Sequence, residues 1–118
     1  MDLNFSVFRE KILDGTKTQT IRLLRGPVPR VGEPLRLYWK PPGREREPLG
    51  TFPCSEVLVK SWGELKDDLE LARRDGFETL EDFRRWFSRY DPTDETKFVV
   101  IRWEFRRMNV KANQWGNS

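Results

Sequence analysis

The run from Lys97 to Arg107 limits the possible folds more than any other segment of this chain. Phe98, Val100, Arg102 and Glu104 alternate with Val99, Ile101, Trp103 and Phe105, so an extended backbone here carries apolar side chains on both faces. A strand of that kind needs cover on both sides, which reads as a long, mostly buried closing strand rather than the edge of an open sheet. The other strand candidates are of unequal length. Leu35, Leu37 and Trp39 alternate with Arg36, Tyr38 and Lys40, giving one buried face, and Leu49 to Trp62 reads as a strand or bulged strand pair with Val57 and Val59 turned inward. Lys17 to Leu24 reads as a further strand. Pro27, Pro29 and Pro34 with Gly26 and Gly32 make Arg25 to Pro34 a loop, Pro41-Pro42-Gly43 turns the chain, and Arg44 to Pro48 reads as an exposed hairpin loop.

Helical spacing appears three times. Phe5, Phe8, Ile12 and Leu13 share a face, predicting a helix from about Ser6 to Asp14 that Gly15 ends. Leu65, Leu69 and Ala72, broadened by Leu71, predict a second over Gly63 to Arg74, ending near Gly76. Thr79, three residues before Asp82, resembles a capping box with a shortened acid; it opens a third helix whose Leu80, Phe83, Trp86 and Phe87 face the core, and Asp91-Pro92 stops it. No βα repeat runs through the chain. The expected fold is α+β, a small β-barrel of about five to six strands with helices packed at its openings. At 118 residues the chain suits one domain, expected over 1–108, with 109–118 a flexible polar tail.

Composition narrows the chemistry. There is no histidine, and Cys54 is the single cysteine, so an ordinary zinc site, an intramolecular disulfide and imidazole-based catalysis are all excluded. No cofactor or metal is expected. Any enzyme here must work with lysine, carboxylate, tyrosine or an arginine clamp. No apolar run approaches the ~18 residues of a membrane span, and the start, Met1-Asp2-Leu3-Asn4, is unlike a signal peptide. A soluble, cytoplasmic, monomeric protein without a membrane partner is expected. Lys and Arg outnumber Asp and Glu by 22 to 19, and arginine is about twice as frequent as lysine. With five tryptophans, that balance suits phosphates and bases, or equally an arginine-rich surface of ion pairs.

The densest cluster of reactive groups is Gly15-Thr16-Lys17-Thr18-Gln19-Thr20-Ile21-Arg22, at a helix-to-strand junction. One reading is a surface strand with solvated cations; the other is a site. Residues three apart on a flat strand face opposite ways, so Lys17 and Thr20 converge only if the segment is distorted. Arg22, on the same face as Thr20, could bind a phosphate, orient a carbonyl, or pair with Glu33 or Glu104. Arg25, Arg30 and Arg44 lie in loops that could rim a cleft, whereas Arg73, Arg74, Arg84, Arg85 and Arg89 are explained by helix-surface ion pairs. Trp86 and Trp103 read as core. Trp39 and Trp62, where strands meet turns, are placed to stack a base.

These residues, followed by Val31-Gly32-Glu33-Pro34-Leu35, Asp75-Gly76-Phe77 and Trp103-Glu104-Phe105, resemble the ASCH domain over nearly the whole chain. That family's motif, Gly-x-Lys-x-x-Thr-x-Arg or Lys, is intact at Gly15, Lys17, Thr20 and Arg22. The resemblance implies the PUA-like fold and a cleft beside the motif strand suited to RNA or a modified nucleoside; on the reading of the residues themselves, Arg22, Arg25, Arg30, Trp39 and Arg44 are its candidate binding residues. Small ASCH proteins similar in length hydrolyse N4-acetylcytidine with a threonine nucleophile, a lysine and a glutamate, and others have been described as ribonucleases. The threonine corresponds to Thr20 and the lysine to Lys17. The acid falls at Asp75, one methylene shorter than glutamate, with Glu78 as the second candidate. Two classes of function therefore stand: an RNA- or nucleoside-binding module, and a hydrolase with Thr20 as nucleophile, Lys17 as base and Asp75 holding the lysine.

Overall fold

The computed structural model describes residues 1–107, so the polar tail expected over 109–118 lies outside the described residues. Five strands, β1 (Asp2–Phe5), β2 (Gln19–Leu23), β3 (Pro34–Trp39), β4 (Glu47–Ser61) and β5 (Lys97–Trp103), form one sheet in the order β1-β3-β4-β5-β2. β1 runs parallel to β3, and every other pairing is antiparallel. The four helices are α1 (Arg9–Leu13), α2 (Trp62–Leu65), α3 (Leu69–Arg74) and α4 (Leu80–Phe87), the last running into a 3-10 turn at Ser88–Tyr90. None of them is long and apolar enough to cross a membrane.

β4 curls the sheet. Glu47 to Pro53 pairs with β3, and Cys54 to Ser61 pairs with β5, with an irregular register between Cys54 and Glu56 where the strand passes from one partner to the other. The sheet becomes a half-barrel whose free edges are β1 and β2. The Arg22 guanidinium spans them, donating from Nη2 to the carbonyl of Asn4 at 2.8 Å. Two apolar clusters lie on either side. Leu3, Phe5, Leu35, Leu37 and Phe52 pack with Val99, Ile101 and Trp103. Phe98 and Val100, from the opposite face of β5, pack with Leu65, Leu71, Phe83 and Phe87 of the helices. β5 is thus buried on both faces, as its alternation required, although its pairing ends at Trp103 rather than at Arg107.

Several expectations need correction. The chain begins with a strand: Leu3 and Phe5 alternate with exposed Asp2 and Asn4 and lie beside Leu37 and Trp39 of β3. Phe5 and Phe8 therefore do not belong to α1, and Leu13 is largely exposed. β4 starts at Glu47, inside the expected hairpin loop, because that residue pairs with Trp39 and its carboxylate holds Arg9 at 2.7 Å. The single helix expected over Gly63 to Arg74 is two. Ser61 and Glu64 form a capping box for α2, and the Asp68 carboxylate accepts from the Leu71 amide to start α3 afresh. Val57 packs on the first cluster, but Val59 lies outside it and is 55% exposed. Trp62 does not line the cavity beside the Gly15 to Arg22 segment; its ring packs against Phe83, Phe87 and Phe98 in the core.

Candidate functional site

The site is built where α1 stops. Gly15 takes φ +84°, a conformation that suits glycine, and the Asp14 carboxylate accepts from the Thr16 amide at 2.8 Å. The Lys17 amide still donates to the Lys11 carbonyl at 2.9 Å. Ladder pairing with β5 begins only at Gln19. Lys17 therefore belongs to the turn and not to the strand, so alternation does not oppose it to Thr20. Both line one cavity of about 200 Å³, together with Arg22 and Asp75.

Lys17 is 3% exposed. Its Nζ donates to the Asp75 main-chain carbonyl at 2.5 Å and lies 3.5 Å from Asp75 Oδ1, with the rings of Phe8 and Phe5 at 5.4 and 5.7 Å. The shorter acid thus fails to reach the ammonium closely with its carboxylate, and its backbone carbonyl makes the short contact instead. Burial pushes the Lys17 pKa below the ordinary lysine value, against the opposing pull of Asp75. Burial likewise pushes the Asp75 carboxyl up, with Lys17 opposing. Asp75 caps the end of α3, and Gly76 follows at φ +114°. A Cβ on Gly76 would sit 2.9 Å from the Phe8 ring. Phe8 is itself held at φ +66°, an uncommon conformation for an aromatic residue, and its ring meets Phe77 edge-on.

Thr20 is 5% exposed and its Oγ1 accepts from Arg22 Nε at 3.0 Å. The Arg22 guanidinium lies 5.0 Å over the Phe5 ring, and burial depresses its pKa. It remains a cation at any working pH. Neither anticipated ion pair forms. Glu33 binds the N-terminal ammonium at 3.1 Å and Glu104 binds Arg106 at 2.8 Å.

A buried chain of contacts supports Asp75 from behind. Gln19, fully buried, donates from Nε2 to Asp75 Oδ1 at 3.2 Å and to the Leu71 carbonyl at 3.1 Å. Its Oε1 accepts from Arg102 Nε at 2.9 Å, which fixes the orientation of the amide, and Arg102 Nη1 in turn donates to Glu56 at 2.7 Å. Sequence reading passed over both residues. Their signal was a neutral amide and a guanidinium placed inside strands otherwise rich in β-branched and aromatic side chains.

The remaining candidates separate. Glu78 does not line the cavity: its exposed carboxylate pairs with Lys11 at 2.8 Å. Arg25, Arg30 and Arg44 are exposed and Trp39 packs partly buried against the first cluster; none of the four lines the cavity. The cavity is lined from β1 and the residues after it, from β2, and from the end of α4 and the 3-10 turn that follows. Its rim is made instead by Trp86, Arg89 and Tyr90. Trp86, expected wholly in the core, is half-buried between core and cavity, with the Arg89 guanidinium 3.7 Å from its ring centroid. The i, i+3 spacing of Trp86 and Arg89 was the available signal. Arg84 and Arg85 make the expected surface pairs with Asp67, Glu81 and Asp82.

No family model and no curated protein matches the sequence. Solved structures do. An ASCH protein from Zymomonas mobilis is similar with a TM-score of 0.63 at 16% identity, over 98% of this chain and 81% of that one. A single-residue variant of it, with serine replaced by alanine, gives 0.62 at 16%, over 98% and 82%. A DUF984 protein from Enterococcus faecalis gives 0.60 at 16%, over 81% of this chain and 67% of that one. At such identity the likeness is one of fold, and a fold hosts many functions. The chain shares the fold of these proteins, a five-stranded half-barrel with four helices, which is the fold class that the ASCH resemblance implied.

Proposed function

We propose that the cavity binds a nucleoside, free or unstacked from RNA, and that the protein acts in RNA metabolism. The observation that carries this reading is the combination of aromatic walls from Phe5, Phe8, Phe77 and Trp86 with donors from Lys17, Thr20 and Arg22 in about 200 Å³. A pyrimidine is flat and carries carbonyl and ring-nitrogen acceptors along one edge, so its faces suit the rings and its edge suits the donors. Calorimetric titration with cytidine tests the reading. Saturable binding that weakens at least tenfold in Lys17→Ala supports it; no binding by the folded wild type refutes it.

A second reading, amide hydrolysis of N4-acetylcytidine, is favoured by the burial of Lys17 beside Asp75 in the cavity that Thr20 lines. With its pKa lowered, Lys17 can take the Thr20 hydroxyl proton as Oγ1 adds to the acetyl carbonyl. Arg22, already donating towards Oγ1, offers charge to the developing oxyanion. Collapse breaks the carbonyl-to-N4 bond, the departing amine takes the proton from Lys17, and water then hydrolyses the acetyl-threonine ester. Incubation with N4-acetylcytidine and with a small RNA separates the possibilities. Deacetylation lost in Thr20→Ala, with cytidine affinity kept within about threefold, supports hydrolysis. Strand cleavage instead would make the protein a ribonuclease, and neither product would leave a binding module.

A further inference from the structure

We propose that the cavity mouth is an anion subsite, in which Arg89 and Arg22 receive a phosphate of the bound nucleotide; this rests on the nucleoside reading and adds the class of ligand. The charged groups lining the cavity are Lys17, Arg22, Arg89 and Asp75, three cations against one carboxylate. That carboxylate is already committed to Lys17 and Gln19. Arg9, Arg36, Arg46, Arg84, Arg85, Arg102 and Arg106 each hold a carboxylate. Among the described residues, neither arginine at the cavity has a carboxylate within salt-bridge distance, a property they share with Arg25, Arg30, Arg44, Arg73 and Arg74 but combine with a place in the cavity lining.

Both are nevertheless held in place. Arg22 uses Nε on Thr20 Oγ1 and Nη2 on the Asn4 carbonyl, which leaves the Nη1 hydrogens unclaimed among the described residues. Arg89 uses Nε on the Trp86 carbonyl at 3.2 Å and lies over the Trp86 ring, leaving the hydrogens of both terminal nitrogens unclaimed. A guanidinium stacked on an indole has lost much of its freedom before any ligand arrives, so little further ordering is needed on binding. The Arg89 contact also covers a carbonyl of the last turn of α4, an end of a helix that would otherwise repel an anion. Tyr90 adds a phenolic hydroxyl at the same rim. A neutral nucleoside would fill the hollow and leave the partly buried Arg22 and the exposed Arg89 without a counter-charge. A phosphate ester supplies it, and guanidinium groups donate paired hydrogen bonds to phosphate oxygens. The phosphate can belong to a free mononucleotide or to an RNA chain.

Calorimetry at one fixed ionic strength, with cytidine, cytidine 5′-monophosphate and the dinucleotide CpC, tests the proposal on wild type, Arg89→Ala and Arg89→Lys. At least one phosphorylated ligand should bind wild type about tenfold or more tightly than cytidine. The preference should fall to about twofold in Arg89→Ala, recover in part in Arg89→Lys, and shrink as salt is raised, while cytidine affinity stays within about twofold throughout. Tighter binding of the monophosphate identifies a free nucleotide as the source, and tighter binding of CpC identifies a chain. Equal affinity of wild type for all three ligands, or a preference unchanged in Arg89→Ala, overturns the subsite and leaves the nucleoside reading standing. Absence of binding by all three, to protein with a folded circular-dichroism spectrum, overturns the nucleoside reading itself.

Discussion

Replacing Lys17 by methionine should destabilise the fold by about 3 kcal/mol, and replacing Asp75 by asparagine by somewhat less, yet the double variant should lose less than either single change. The two side chains are 3% and 6% exposed, so each depends on the other for its counter-charge. Removing one member of a buried pair leaves the other unpaired, at a cost of about 3–5 kcal/mol in typical sites. Lys17→Met belongs at the low end. Gln19 still donates to Asp75 Oδ1 at 3.2 Å, and methionine keeps the contact with Phe5 and Phe8. Asp75→Asn is milder because the strong contact of Lys17, at 2.5 Å, is to the Asp75 main-chain carbonyl and survives the change. Urea unfolding followed by tryptophan fluorescence gives all four free energies. With both charges gone, the coupling should exceed about 3 kcal/mol; additive single effects, with a coupling below about 0.5 kcal/mol, would refute the pairing.

The same pair sets a pH signature whose sign differs at each end of the scale. Burial lowers the pKa of Lys17, so between its folded value and the ordinary 10.5 the unfolded chain holds a proton that the folded chain has released. Stability therefore rises with pH across that window, and is lost as pH falls through the folded pKa. Burial raises the pKa of Asp75, so between 3.8 and its folded value the folded chain keeps a proton that the unfolded chain has released. Stability falls with rising pH there. In Lys17→Met the alkaline rise should vanish; a wild-type profile that coincides in shape with the variant's above pH 7 would show that Lys17 titrates as a solvated lysine.

Two further substitutions test the supports of the site. Gly15→Ala should cost about 1–3 kcal/mol in urea unfolding, because the residue sits at φ +84° and its Cβ would meet the Phe105 ring at 2.6 Å. An unchanged midpoint would mean that the turn before Lys17 is not constrained as described. Gln19→Leu keeps volume but strips a donor from Asp75 Oδ1 and an acceptor from Arg102, so thermal denaturation should report a loss of about 1–3 kcal/mol. A loss below about 0.5 kcal/mol would place Gln19 outside the buried chain of contacts.

Elements whose signal is local were readable from the residues. β5 carries apolar side chains at both parities and is buried on both faces, and Thr79, three residues before Asp82, caps α4 by accepting from the Asp82 amide, which is half of the expected capping box. Pairing partners distant in sequence were not readable. β1 is four residues long and finds its place only by lying parallel to β3, more than thirty residues on, while Phe5, Phe8 and Ile12 happen to fall at helical spacing. Period alone cannot arbitrate over so short a run. The rim residues Arg89 and Tyr90 were hidden for a related reason. Asp91-Pro92 marks where α4 stops, but not that the chain leaves it through a 3-10 turn whose C-cap Asp91 is held at φ +47°, the geometry that accompanies their place at the cavity.

The convergence of Lys17 and Thr20 shows where a rule applied to the right residues gives the wrong constraint. Strand alternation opposes positions three apart only if both lie in one continuous extended segment. Here the last backbone contact to α1, from the Lys17 amide to the Lys11 carbonyl, and the first ladder pair with β5, at Gln19, are separated by a single residue. The parity count therefore starts after Lys17, and Gln19 and Thr20 take opposite faces instead: one buried behind Asp75, the other lining the cavity. Gly15 is what permits the short turn, since a helix that continued one residue further would carry Lys17 past Asp75. The spacing Gly-x-Lys-x-x-Thr thus encodes a helix end, a turn residue and a strand start, and its functional groups meet because three different backbone conformations lie between them.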